Sequence, residues 1–254
     1  MKNYLTLVSK LFKIHKKKFS TNNTPLHLVL CSKISYFITP FFLYFKFSAN
    51  TVTLINFFLS ILSILILLFF PSYFIYSILI FILYRILDFV DGSIARFTSS
   101  GTFFGKFIDG LSDIFFQSLF VLSLSFYYFN KNQDYRLLLL GCVASILTCF
   151  DTFIHDRYSA IARWMNKDLN KNIKPYIKED SYINFKIYLL FQDVIFFLVI
   201  LLCVNNFSFL YLKINMYLIF LFFILMAVQN IFLHLTFAYK SFIHFSKITK
   251  IRNK

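Results

Sequence analysis

Apolar residues fill long stretches of the chain around positions 52–70, 73–94, 103–129, 136–158, 186–207 and 214–238. A helix needs about 20 mostly apolar residues to cross a hydrocarbon layer of about 30 Å, so each stretch predicts one crossing. Ahead of the first, the segment from Leu26 to Phe47 alternates apolar and polar residues at helical spacing and contains Pro40. That pattern suits a kinked helix lying in the membrane interface. The expected fold is therefore an all-α integral membrane protein with six transmembrane helices and an N-terminal interfacial helix. It divides into a basic arm and interfacial helix at 1–49, a six-helix membrane domain at 50–240 and a basic tail at 241–254. No segment repeats at a period of 20 to 50 residues, and no Gly/Ser-rich linker divides the chain.

Composition agrees, because 59% of residues are hydrophobic, 22% aromatic and only 15% charged, far too apolar for a soluble surface. The 26 Lys and Arg against 11 acidic residues give a net charge of +15, yet the basic residues do not interleave with aromatics in one soluble stretch. A nucleic-acid partner is therefore not expected. The cations cluster before residue 50, between 157 and 186, and after 239, and are sparse near Pro71, Asn130 and Leu210. By the positive-inside rule both termini face the cytoplasm, and so does the joint at residues 95–106 with Arg96 and Lys106, in a multi-pass protein of the cell membrane. The start of the chain carries lysines but no small-residue cleavage site after an apolar core, so it reads as a cytoplasmic arm rather than a removable signal peptide. Cys31, Cys142, Cys149 and Cys203 form no CxxC pair and have no His at zinc spacing, which leaves them as small packing residues.

Charge inside a span is expensive, and its presence is a functional hypothesis until something else explains it. Asp88 and Asp91 interrupt the end of the second span, and Asp109 and Asp113 the start of the third. Of five glycines, Gly92, Gly101, Gly105 and Gly110 lie in the same hairpin, although glycine in a helix costs up to ~1 kcal/mol relative to alanine. Such a concentration predicts close backbone approach. At ~100° per residue, Asp88, Asp91, Gly92 and Ala95 share one face of the second span, and Gly105, Asp109 and Asp113 share one face of the third. Two carboxylate faces flanked by small residues can thus oppose each other across a cleft. Four carboxylates so close repel one another, and divalent cations between them are the simplest remedy. Oxygen ligands without His or Cys favour magnesium or manganese, and a pair of hard cations is the usual device for clamping a diphosphate during substitution at phosphorus.

The frame Asp88-x2-Asp91-Gly92-x2-Ala95-Arg96-x8-Gly105-x3-Asp109-x3-Asp113 is similar, at every fixed position and spacing, to the signature of the CDP-alcohol phosphotransferase (CDP-alcohol phosphatidyltransferase) family. Eight specified residues in one frame arise by chance on the order of once in 10¹⁰ placements if each residue type has a frequency of about one in twenty. The resemblance extends more weakly to the six spans, the interfacial helix and Asn50-x2-Thr53-Leu54. It implies transfer of a phosphatidyl or phosphoalcohol group from a CDP-linked donor, with CDP-diacylglycerol preferred here, to a small alcohol acceptor with release of CMP, in phospholipid biosynthesis. It further implies that Asp88, Asp91, Asp109 and Asp113 hold two Mg²⁺ or Mn²⁺ ions, with Asp113 also the general base. Gly92, Ala95 and Gly105 would line the cytidine and diphosphate pocket, Arg96 would lie near its phosphates, and Asn50 and Thr53 would close it. A homodimer packed through membrane helices belongs to the same implication.

Blander readings compete at each point. The aspartates could form ion pairs with Arg85, Arg96 and Lys106, and Arg85 could be a local partner of Asp88 that snorkels or a substrate ligand. Asp156, Arg157 and Arg163 could hold an acceptor's head group or merely anchor the helix, and His155 has no second ligand at metal spacing. Asp193 with Gln192, and His234 with Gln229, read as hydrogen bonds between helices. The 38 phenylalanines are lipid-facing or packing surface. Two other functions share the acidic motif. An intramembrane prenyltransferase would present two separated Asp-rich motifs on different helix pairs, and a cation-coupled transporter would show a duplicated half with a broken helix. Neither feature is visible in the sequence.

Overall fold

The computed structural model describes residues 25–150, 153, 182–207 and 216–231. The basic arm up to residue 24, the segment with His155, Asp156, Arg157 and Arg163, His234 and the tail at 241–254 lie outside the described residues. Within them the chain is helical with no strand: α1 (Leu26–Tyr44), α2 (Ala49–Phe69), α3 (Phe74–Thr98), α4 (Phe103–Asn132), α5 (Tyr135–Phe150), α6 (Tyr182–Phe207) and α7 (Met216–Ile231). A short 3-10 turn, Pro71–Tyr73, leads into α3. Local chemistry sets the ends. Ser48 accepts a hydrogen bond from the Thr51 N–H at 3.1 Å to start α2, and Thr102 accepts one from the Gly105 N–H at 2.9 Å to start α4. Ser99, in the left-handed region at φ 53°, stops α3 and reverses the chain.

Four helices are long and apolar enough to cross a membrane: Leu26–Tyr44, Ala49–Phe69, Pro71–Thr98 and Phe103–Asn132. Tyr135–Phe150, Leu190–Val204 and Met216–Ile231 are apolar but shorter among the described residues. The protein is therefore a multi-pass membrane protein, but the expected six crossings are not established by the described residues. α1 departs from its expected character, since by length and composition it qualifies as a crossing helix as well as an interfacial one. Its hydroxyl residues Ser32, Ser35 and Thr39 are buried and bond to carbonyls of their own helix at 2.7–2.9 Å. Leu30, Ile34, Phe37 and Phe41 are exposed instead. Facing lipid, a helix turns its polar stripe inward, where backbone carbonyls satisfy the hydroxyls.

α2 packs against both α3 and α4, and α3 also meets α1 and α6. Between α3 and α4 stands a column of rings: Phe74 on Tyr127 at 4.5 Å between centroids, Phe81 on Phe120 at 4.5 Å and Tyr84 on Phe116 at 4.1 Å. Lipid tails are as apolar as these side chains, so helix association in the bilayer rests on packing and polar contacts rather than on the hydrophobic effect. Each ring pair contributes about 0.5–1.5 kcal/mol beyond area burial. Polar contacts supplement them. Ser63 and Ser77 join α2 to α3 at 2.9 Å, with the Ser77 hydroxyl also donating to the Ser63 carbonyl at 2.8 Å. Ser145 of α5 donates to the Ser118 carbonyl of α4 at 2.8 Å, and Asn230 of α7 to Thr148 of α5 at 2.9 Å.

Asp193 does make the expected contact between helices, and of a specific kind. α1 has no cap of its own after Pro25, and Asp193 of α6 accepts from the backbone N–H groups of Leu26 at 2.9 Å and His27 at 2.8 Å. It also meets His27 Nδ1 at 2.7 Å, while the His27 ring stacks on Phe196 at 4.9 Å. A carboxylate at a helix N-terminus satisfies orphan donors and opposes the helix dipole.

The tightest glycine lies outside the hairpin. A Cβ on Gly141 would fall 2.0 Å from Ser125 Cβ, so only glycine lets α5 approach α4 this closely. We predict that Gly141→Ala lowers the thermal midpoint in detergent, corresponding to about 1–3 kcal/mol of overpacking. Adding Ser125→Gly should recover part of the loss, as followed by fluorescence-detected melting.

Candidate active site

The turn at residues 99–102 brings the end of α3 against the start of α4, where the predicted aspartates meet. Asp88, Asp91 and Asp109 each offer one carboxylate oxygen, and these atoms all lie within 4.8 Å of one another. Asp91 is buried at 6% exposure, while Asp88 and Asp109 are half-buried. Asp113, one turn beyond Asp109, is near enough to act electrostatically on all three but is not part of the triad. Its Oδ1 accepts a hydrogen bond from the Tyr84 hydroxyl at 2.7 Å.

α2 closes the third side. Thr53 donates to Asp91 Oδ2 at 2.7 Å and its hydroxyl also contacts the Ala49 carbonyl at 3.1 Å. Asn50 Oδ1 accepts from the Thr102 hydroxyl at 3.0 Å, tying the start of α2 to the start of α4. Gly105 lies directly under this contact, since a Cβ there would fall 2.5 Å from Asn50 Oδ1. Gly92 carries the Arg96 guanidinium, 3.2 Å from where its Cβ would be. Ala95 packs partly against the small cluster of Ala49, Val52, Leu87, Val90 and Ile94 between α2 and α3. Gly101 and Gly110 meet nothing within 4 Å of a built Cβ, so the close approach expected of the four hairpin glycines is confined to Gly92 and Gly105. Both of those meet side chains, not backbone.

Neither Arg85 nor Lys106 comes within salt-bridge distance of an aspartate of the site, whereas His27 pairs with Asp193 and Arg136 with Asp134. Arg85 instead lies 6.0 Å over the Phe81 ring, its Nε buried without a partner. In the turn after α4, the Arg136 side chain holds the Asp134 carboxyl below its ordinary range by hydrogen bonding, a surface arrangement remote in character from the acidic cluster.

The chemistry of the donor set fits a divalent metal. Three carboxylate oxygens, one each from Asp88, Asp91 and Asp109, converge, and all of them are hard ligands. Two oxygens on opposite sides of a hard divalent cation lie about 4–5 Å apart, so the observed spread is the size that one ion spans. A model of the CDP-alcohol phosphatidyltransferase family matches residues 46–240. The chain belongs to this family. It is a transferase that moves a phospho-alcohol group from a CDP-alcohol donor to an alcohol acceptor, and the match sides with that reading over the prenyltransferase and carrier alternatives. No curated protein matches the chain.

Sequence reasoning missed Tyr84 and Thr102 in the neighbourhood of the family's motif. Tyr84 stands one helical turn before Asp88 and so on its face, a spacing that could have flagged it. Thr102 was visible as a cap residue at the head of a helix. For Gly105, the obstacle to a side chain is the mobile end of Asn50 rather than backbone. We predict that Gly105→Ala shifts the detergent melting midpoint by less than Gly141→Ala, because the Asn50 amide can rotate away. Equal destabilisation by the two would show that the Asn50–Thr102 contact is rigid.

Proposed function

We propose that this family member transfers a phosphatidyl group from CDP-diacylglycerol to a small alcohol, releasing CMP, as a step of phospholipid synthesis at the cytoplasmic face of the cell membrane. The observation that carries the reading is the meeting of Asp88, Asp91 and Asp109 from two facing helices, beside Asp113, inside a membrane protein of this family. In this reading Asp88, Asp91, Asp109 and Asp113 hold two Mg²⁺ or Mn²⁺ ions. When bound, the ions neutralise the diphosphate and the charge that builds on its oxygens during substitution. Asp113 takes the proton of the acceptor hydroxyl as the new O–P bond forms and the P–O bond to CMP breaks. Gly92, Ala95 and Gly105 leave room for the nucleotide, with Arg96 near its phosphates and Asn50 and Thr53 at its edge. Thr53 also orients Asp91 through their hydrogen bond.

A lipid donor accords with the setting of the site, whose helices expose rows of large apolar residues such as Leu54, Phe58, Leu62 and Phe69 to the bilayer. We further propose six crossings beginning with α2, with α1 along the inner interface, both termini and the site cytoplasmic, and two copies packed through membrane helices. The distribution of Lys and Arg supports the orientation.

The purified protein should release CMP from CDP-diacylglycerol only with magnesium or manganese present, and a panel of serine, glycerol phosphate and inositol phosphate identifies the acceptor through the mass of the lipid product. Asp113→Asn should reduce turnover at least about a hundredfold while the melting midpoint in detergent stays near that of the parent. Turnover in EDTA, or parental rates in Asp113→Asn, would defeat the assignment.

A further inference from the structure

The three aspartates of the triad turn their oxygens towards one another, and Asp113 does not join them. Asp113 is held from α3 by Tyr84. Its phenol is 1% exposed, and its ring lies 4.1 Å from that of Phe116, itself buried at 1%. A tyrosine enclosed in this way has little freedom of rotation, so its hydroxyl is a donor at a fixed point. That hydroxyl meets Asp113 Oδ1 at 2.7 Å, across from α3 to α4. Among the described residues Oδ2 receives no donor, and Asp113 is only half-buried.

We infer that Tyr84 is a positioning residue: its hydroxyl holds Asp113 by Oδ1, fixes that carboxylate beside the triad, and leaves Oδ2 to receive the acceptor's proton. The inference rests on the reading of Asp113 as the base. A carboxylate has two side-chain torsions, and a short hydrogen bond to one oxygen from a rigid donor removes most of the freedom of the second. Proton transfer requires heavy atoms to approach within about 2.6–3.2 Å, and small misplacements of a catalytic group are costly in rate. Tyr84 touches neither substrate nor any oxygen of Asp88, Asp91 or Asp109 in this account. It acts through Asp113 alone.

A buried tyrosine also needs some partner for its hydroxyl, and Asp113 could serve merely as that partner. The two roles separate in kinetics. Tyr84→Phe keeps the ring and removes the donor, whereas Phe116→Leu disturbs the ring's packing and leaves the hydroxyl. The full-length protein in detergent is assayed for CMP release with the donor and acceptor pair that supports turnover, and for Mn²⁺ binding by electron paramagnetic resonance. With a positioning role, Tyr84→Phe lowers kcat about tenfold, leaves KM for both substrates and the Mn²⁺ affinity within about twofold, and adds nothing to the loss in Asp113→Asn. Phe116→Leu then lowers the melting midpoint more than it lowers kcat. Parental kcat in Tyr84→Phe, or equal kcat losses in Tyr84→Phe and Phe116→Leu, would overturn the inference while an inactive Asp113→Asn kept the base reading intact. Parental turnover in Asp113→Asn would instead remove the base reading itself.

Discussion

Three carboxylates held within 4.8 Å of one another in a membrane protein are the constraint that the rest of the structure must answer. Two unit charges at that distance repel by about 3 kcal/mol even at an effective dielectric of about 20. Three such pairs approach the whole stability of a typical domain, about 5–15 kcal/mol. Arg85, over the Phe81 ring, acts on Asp88 and Arg96 on Asp88 and Asp91, which offsets part of this repulsion. The arrangement persists because the helices that carry the aspartates are fixed elsewhere, and because the cluster is suited to a counter-charge from outside the chain. The fold holds the carboxylates at a spacing that one divalent ion could bridge.

The fixing is done further along the same two helices. Moving away from the turn, α3 and α4 present first Asp91 and Asp109, then Asp88 and Asp113, then Tyr84 and Phe116, Phe81 and Phe120, and finally Phe74 and Tyr127. The ring pairs stand 4.1–4.5 Å apart between centroids and act as spacers. Rings are stiff, with two torsions each, so the separation they set is carried to the acidic end with little loss. α2 packs against both helices, and its Ser63–Ser77 contact brings it close to α3 while Thr53 reaches Asp91. Tyr84 belongs to both halves of this column. Its ring is the first spacer and its hydroxyl the last polar group before the carboxylates.

Much of this was legible in the sequence because it rests on local periodicity. The 3.6-residue repeat alone puts Asp88 and Asp91 on one face and Asp109 and Asp113 on another, and the expected ends of the first three apolar stretches fall within a few residues of α2, α3 and α4. What was not legible depends on which surface meets which neighbour. The alternation along α1 was compatible with a polar face towards water, but the structure buries Ser32, Ser35 and Thr39 and exposes the apolar residues. Periodicity counts faces and does not say which one is inside when the solvent is lipid. Asp193 was readable as a helix-to-helix contact, yet its partner 166 residues away in sequence, the His27 N–H, was not. The same holds for Tyr84, whose importance comes from a partner on another helix.

Glycine shows the distinction most clearly. Four of five glycines cluster in the hairpin, and the sequence alone assigns all four to close approach. Gly101 and Gly110 have open space where a Cβ would go, so protein packing gives no reason for their size. Gly92 and Gly105 are limited by the Arg96 guanidinium and the Asn50 amide, the movable ends of two residues proposed above to stand at the nucleotide pocket. A methyl group at either position would displace those ends before it displaced any backbone. Substitution there therefore acts on the geometry of polar groups at the site, whereas at Gly141, set against Ser125 Cβ, it acts on the separation of two helices. Loss of activity at Gly92 or Gly105 with the fold retained is thus a statement about the site, and the same loss at Gly141 is a statement about the scaffold.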